Sequence, residues 1–372
     1  MTAERIQAAQ RLAAEAVRIA DAAVARGREL LEDGRRIDDR QPHAERLALV
    51  ATEARAAFEL AAYASRVPPS APDAGIEADL AHAFAAEALH GIAGRVRAHP
   101  DDFGGGGLLT PLDEPEVAQA LLAGLDDAFV QDIGRRVIEA RGANQSHLED
   151  AAAAMVRDSA RAFARAEIAP IAQEMHRQDH DVPEDLIRKM AEVGFFGISI
   201  PEAYGGYADG PGAVTGVLAL EEMAWGDLAA ALELWTPALF ALPILLSGTE
   251  EQKKTYLPAF CDLDRPLASA ALVEPNVTFD PWRPRTTATR RDGSVTLNGE
   301  KAYVPLAAGV ERLLVYAADS ETGRVDGYIV EKGADGLTVC EREKLMGIQA
   351  LPLYRVALSN VTIPAENRLG GE

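Results

Sequence analysis

Apolar residues recur at intervals of three and four through the first 260 or so positions, then alternate in short runs from about residue 266 onward. Over residues 1–148 this Ala-rich pattern predicts helices at about 4–32, 42–66, 76–98 and 114–141. Pro68, Pro69 and Pro72 separate the second from the third. A loop at 99–111, with four glycines at 104–107, separates the third from the fourth. Leu47, Val50, Ala51, Ala54, Phe58 and Ala61 form one apolar stripe. Four helices with short joins predict an antiparallel bundle.

Residues 149–262 keep the helical period. Val156, Ala160, Phe163 and Ala164 make a stripe that ends near Pro170. The segment 182–206 reads as a helix, a glycine stop, a short strand-like apolar run and a Pro-Gly turn. Pro183 suits the first helical position. Leu186, Ile187, Met190 and Val193 share a face, and Gly194 supplies a left-handed cap. Helical patterns follow at 218–223 and 232–246. Thr249 is then an N-cap with Gln252 at the capping-box position.

From about 266 the period changes to two. Residues 286–297 alternate around Asp292-Gly293, which signals a hairpin. Further short strands are predicted at 313–317, 327–330, 337–340 and 353–358. The fold class is multidomain, α then β: a helical bundle over 1–148, an all-α domain over 149–265, and an antiparallel β-barrel or sandwich over 266–372.

The 372 residues carry a net charge of −21, which argues against a nucleic-acid partner. An acidic chain still binds an anionic ligand through a local basic pocket or helix N-termini. Cys261 and Cys340 alone give neither a zinc spacing nor a disulfide framework, so a reducing cytoplasm is expected. The N-terminus lacks a signal pattern, and the absence of a run of about 18 apolar residues predicts no membrane span. His176 and His180 stand four apart with no evident third ligand, so no metal is assigned. The glycines at 104–107 lack the strand and Lys-Ser/Thr of a phosphate cradle. His82 and His90 read as interhelical or surface residues, and Glu221 and Glu222 as structural contacts. Trp235 and Phe240 are candidate apolar-pocket residues with a default core role. Arg283, Arg285, Arg290 and Arg291 cluster near the hairpin, where they meet phosphates or edge a solvated strand.

Five blocks stand in order over about 150–372: 166–170 (AEIAP), 182–206, 248–253 (GTEEQK), 297–301 (LNGEK), and 360–367 (NVTIPAEN) with Leu369-Gly370. Together they resemble the acyl-CoA dehydrogenase family, flavoproteins that desaturate acyl thioesters. The resemblance implies FAD bound between the β domain and a C-terminal helical domain. It also implies an acyl-CoA substrate, electron-transfer flavoprotein as acceptor, and a homo- or hetero-oligomer. In such proteins a carboxylate takes the α-proton while hydride passes to the flavin, which carries the redox chemistry. Fatty acid metabolism is the expected setting.

The family's flavin-facing loop, usually Thr-Glu-Pro followed by Gly-Ser-Asp, matches here at Glu274, Pro275 and Asp280, with Val273 for the threonine and Phe279 for the serine. Its next loop, Lys-x-Trp-Ile-Thr, matches Lys301, with Tyr303 for Trp, Val304 for Ile and Pro305 for Thr. The resemblance therefore points to Leu272, Val273, Glu274, Phe279, Tyr303, Val304 and Pro305 as cofactor-binding, with backbone groups of Leu272, Val273 and Val304 reaching the flavin and Tyr303 stacking on it. Three expected hydroxyls are missing, each worth about 0.5–1.5 kcal/mol. The family's C-terminal domain, which usually holds the catalytic carboxylate, has no counterpart after Glu372. The chain is thus expected to be a fragment, or to replace that domain, and to turn over little substrate alone. No catalytic residue is assigned. Residues 46–63 and 81–90 resemble helices of that domain, and a helical N-terminal extension resembles the methylsuccinyl-CoA dehydrogenase branch. The function implied is FAD-dependent acyl-CoA dehydrogenation. The alternatives are a silent partner subunit, which the lost hydroxyls motivate, and a flavin acyl-CoA oxidase.

Overall fold

A computed structural model describes residues 2–141, 147, 150–208, 213–262 and 267–371. The domain boundaries expected at 148/149 and 265/266 fall outside these described residues. The chain forms two compact units, Met1–His147 and Leu148–Glu372.

In the first unit α1 (Thr2–Leu30), α2 (Gln41–Arg66) and α3 (Ala74–Ala98) pack against one another. Their contact residues are mostly alanines, with Leu12, Ile19, Val50, Leu89 and Ile92 filling the remaining space. Small side chains let helix axes approach closely, and the few large ones interlock. Of the expected α2 stripe, Val50, Ala54 and Ala61 are buried, while Phe58 is exposed under Arg55 and Ala57 takes the inward position. The expected fourth helix is two: α5 (Pro115–Gly124) and α6 (Asp127–Glu139). Asp126 starts the second by accepting the Phe129 amide at 2.9 Å. The expected loop at 99–111 holds a short helix, α4 (Pro100–Phe103), and a 3₁₀ stretch from Gly106 to Asp113.

In the second unit α7 (Ala151–Phe163) does not end at Pro170. It runs through a π turn at Ala164–Ile168 into α8 (Ala169–Arg177). Proline lacks the N–H of an α-helix and its ring meets the carbonyl four residues back; the wider π turn, closed by Ala169 N–H to the Ala164 carbonyl, relieves this. Pro183 is the N-cap of α9 (Glu184–Glu192) rather than its first residue. Leu186, Ile187 and Met190 are buried as expected; Val193 lies past the helix end and is exposed, and Ala191 is buried instead. Gly194 takes the left-handed cap at φ +84°, but the apolar run after it is a 3₁₀ turn, Phe195–Gly197, not a strand.

Next come α10 (Ala213–Gly226), α11 (Leu228–Trp235), α12 (Ala238–Ser247) and α13 (Glu250–Tyr256). Residues Leu228–Ser247 have a mean hydropathy of 1.7, apolar and long enough by composition to span a membrane. Here they break at Thr236-Pro237, and Phe240, Ala241 and Ile244 pack on Leu314 and Ile329 of the sheet. The Thr249–Gln252 capping box forms as expected, and Gln252 Nε2 also donates to the carbonyls of Glu366 and Arg368.

The sheet contains β1 (Ala268–Ala271), β2 (Thr287–Arg291), β3 (Ser294–Pro305), β4 (Arg312–Asp319), β5 (Val325–Glu331), β6 (Leu337–Arg342) and β7 (Leu353–Pro364). Its order is β1-β4-β2-β3-β7-β6, with β5 also on β4. The hairpin turns at Asp292 (φ +44°) and Gly293 (φ +74°), as its Asp-Gly pair requires. The α-then-β architecture holds. Within the sheet, β4 pairs in parallel with both β1 and β2, where only antiparallel pairing was expected. The parallel neighbour β1, ASAA, is short and small and gives no alternating signal.

Candidate functional site

The chain leaves β1 at Ala271 and passes directly beside β3. Two carbonyls fix it there. Leu272 O accepts Lys301 Nζ at 3.0 Å, and Val273 O accepts the Ala302 amide at 2.8 Å. The side chains of Leu272 and Val273 point outward, 38% and 37% exposed. Glu274 turns inward and is 4% exposed. Its carboxylate accepts the Arg285 amide at 2.7 Å, the Thr286 amide at 2.8 Å, the Thr286 hydroxyl at 2.6 Å and Lys301 Nζ at 3.1 Å. One carboxylate thereby closes the loop from 274 to 286 at its base. Burial pushes the Glu274 carboxyl up, but the Thr286 hydroxyl, the two amides and Lys301 outweigh it and hold it below the usual range. Burial drives the Lys301 ammonium down, against the pull of Glu274.

Strand β3 reaches this point with a bulge between Lys301 and Val304. Tyr303 occupies it at φ +53°, and its ring is half exposed. A non-glycine residue held in that region marks a position fixed by its surroundings. Leu272, Val273 and Tyr303 are thus exposed apolar and aromatic side chains on two segments joined by the Ala302–Val273 backbone bond. Val304 lies on the inner side, 1% exposed in the core, so only its backbone is available to a ligand. Phe279 and Pro305 are half-buried. Asp280 accepts the Trp282 amide at 2.9 Å, forming a turn that leaves Trp282 exposed. Val277 at the loop tip is fully exposed.

The motif match includes Lys301 without a role of its own, and Thr286 falls only within the alternation at 286–297. A signal was present: alternation along β3 places Lys301 on the buried face with Leu297, where a lysine needs a counter-charge. Gly299 belongs to the same network; a Cβ there would sit 2.6 Å from Thr286 Oγ1.

Of the other candidates, Arg285 reaches this site through its amide on Glu274; Trp235, Phe240, Arg290, Glu222 and the histidines make contacts elsewhere. Trp235 packs on Gly216 and lines a small cavity of about 10 Å³ with Phe195, Phe196 and Leu234. Phe240 is buried, stacked on Phe260 and edge-on to Tyr256. Arg290 is engaged by Asp319 at 3.1 Å and Asp326 at 3.3 Å. Glu222 pairs with Arg161 at 2.5 Å. His82 is interhelical and 1% exposed; His176 and His180 lie at the surface. Among the described residues, no three His, Cys, Asp or Glu side chains are placed to hold a metal ion.

Helices followed by a curled sheet, with a pinned loop facing a bulged strand, define the class. The model of the acyl-CoA dehydrogenase N-terminal domain matches residues 150–264, and that of the middle domain matches 269–361. The chain belongs to the acyl-CoA dehydrogenase family. It is 35% identical over 222 residues to an acyl-CoA dehydrogenase of Bacillus subtilis, covering 59% of this chain and 58% of that protein. The structure of butyryl-CoA dehydrogenase from Megasphaera elsdenii matches with a TM-score of 0.56 and 30% identity over 61% of each chain. An acyl-CoA dehydrogenase from Bacillus anthracis, solved in complex with FAD, matches with a TM-score of 0.53 and 30% identity, over 59% of this chain and 38% of that one. The chain thus spans about three-fifths or less of the length of these relatives.

Proposed function

We propose that residues 150–371 form the flavin-facing part of an oxidoreductase that desaturates an acyl-CoA thioester. One observation carries the reading: the two loops that match the family's flavin motifs are bonded to each other through Lys301, Glu274 and the Ala302 amide, with Leu272, Val273 and Tyr303 exposed. Those side chains suit the flat, largely apolar face of an isoalloxazine ring. FAD, when bound, supplies the acceptor for hydride. Tyr303 would cover the ring, and backbone groups of Leu272, Val273 and Val304 would meet its polar edge. With Val273, Phe279 and Pro305 supplying no hydroxyl, binding rests on backbone and aromatic contact. Acyl-CoA as substrate, electron-transfer flavoprotein as acceptor, an oligomeric state, a role in fatty acid metabolism and a cytoplasmic setting complete the proposal.

The test is titration of the apo-protein with FAD, followed by absorbance and flavin emission. Saturable binding that Tyr303→Ala weakens by about three- to tenfold supports the placement. The same Val273, Phe279 and Pro305 substitutions favour a second reading, a silent partner subunit. Absence of FAD binding by wild type selects it.

A further inference from the structure

The Lys301 ammonium is fully buried within the β domain. It touches a carboxylate, Glu274 Oε1, at 3.1 Å and a backbone carbonyl, Leu272 O, at 3.0 Å. An ammonium carries three donors, and here the carboxylate takes one and the Leu272 carbonyl another. The second contact reaches across to the segment leaving β1. The next residue on β3, Ala302, holds the next carbonyl on that segment, Val273 O. The residue after it is Tyr303, in its bulge at φ +53°. Successive residues of β3 thus grip successive carbonyls of the loop and then present the aromatic ring. The third tie is Glu274 itself, which connects the same ammonium to Arg285 and Thr286 at the far end of the loop.

We propose that Lys301 is a positioning residue: it locks Leu272 and Val273 to the Tyr303 bulge, so that the wall that receives the flavin is built before any ligand arrives. This rests on the function proposed above. The energetic argument is preorganisation. A loop free to move would lose conformational freedom on binding, and fixing it beforehand removes that cost from the affinity. With three side-chain hydroxyls absent, a prebuilt wall matters more here.

The experiment uses the 372-residue protein with Lys301→Met and the double variant Glu274→Gln/Lys301→Met, which removes both buried charges. Arg188→Met, at an exposed helix pair, is the control. Amide hydrogen exchange is followed without ligand, and FAD binding by absorbance shift and emission quenching. In both Lys301 variants the Ala302, Arg285 and Thr286 amides should exchange about tenfold faster or more, while β6 and β7 amides stay at wild-type rates. FAD affinity should fall by about tenfold, with less quenching of flavin emission, and the double variant should keep a cooperative unfolding transition. Unchanged exchange at Ala302 in the folded double variant overturns the proposal. So does accelerated exchange with unchanged FAD affinity and quenching. If wild type binds no FAD, the proposed function fails, and Lys301 as a device for flavin binding falls with it; exchange then reports only whether the lock itself exists.

Discussion

Gly299 shows how little room the site's support leaves. Its φ is +150°, and a Cβ would stand 2.6 Å from Thr286 Oγ1 and 2.7 Å from Thr286 Cα. Gly299→Ala must therefore displace backbone, and should destabilise the β-containing unit by about 1–3 kcal/mol, read as a lower Tm. Glu274 gives a second test at this scale. Its folded pKa lies below the ordinary 4.5, so its stabilising contribution is complete above that value and is lost as pH falls through the lower folded pKa. Denaturant unfolding of the wild-type unit should weaken as pH drops from about 5 toward 3, and Glu274→Gln should flatten that dependence. An equally steep dependence in the variant would assign the acid sensitivity to other carboxylates.

Among elements, α3 carries a comparable test in the first unit. Arg5 can only donate, so His82 Nδ1 accepts from it at 3.1 Å, and Nε2–H then donates to the Ala120 carbonyl at 2.8 Å. Asp79 and the Phe129 ring also face it. Burial holds the imidazole below its ordinary 6.5 despite the Ala120 bond. The sign follows: the unfolded chain takes up the proton first, so stability is full above about 6.5 and declines as pH falls toward the folded value. The bundle should melt lower at pH 5.5 than at 7.5, and His82→Gln should remove most of the difference. At this same scale the sequence is most readable. The first three long helices, the Asp-Gly hairpin and the Thr249 capping box are local signals and appear where expected, while the fourth helix divides at Asp126. The π turn at Ala164–Ile168, the short β1 and its parallel pairing depend on partners distant in the chain, so no local pattern announces them. The candidate site divides the same way: resemblance points to the loop residues and alternation along β3 to a buried Lys301, while the burial of Val304 past the bulge comes from the sheet.

As a whole the molecule contains two compact units with separate cores, residues 1–147 and 148–372. Calorimetry should resolve two transitions, with His82→Gln moving only one and Gly299→Ala only the other. A single transition shifted by both would show that the units unfold as one. The proposed flavin wall of Leu272, Val273 and Tyr303 is tested by FAD titration of the purified apo-protein. Binding should be saturable, with a shifted visible spectrum and quenched emission, and should be weakened by Tyr303→Ala. Absence of binding, or binding indifferent to that substitution, would contradict this placement.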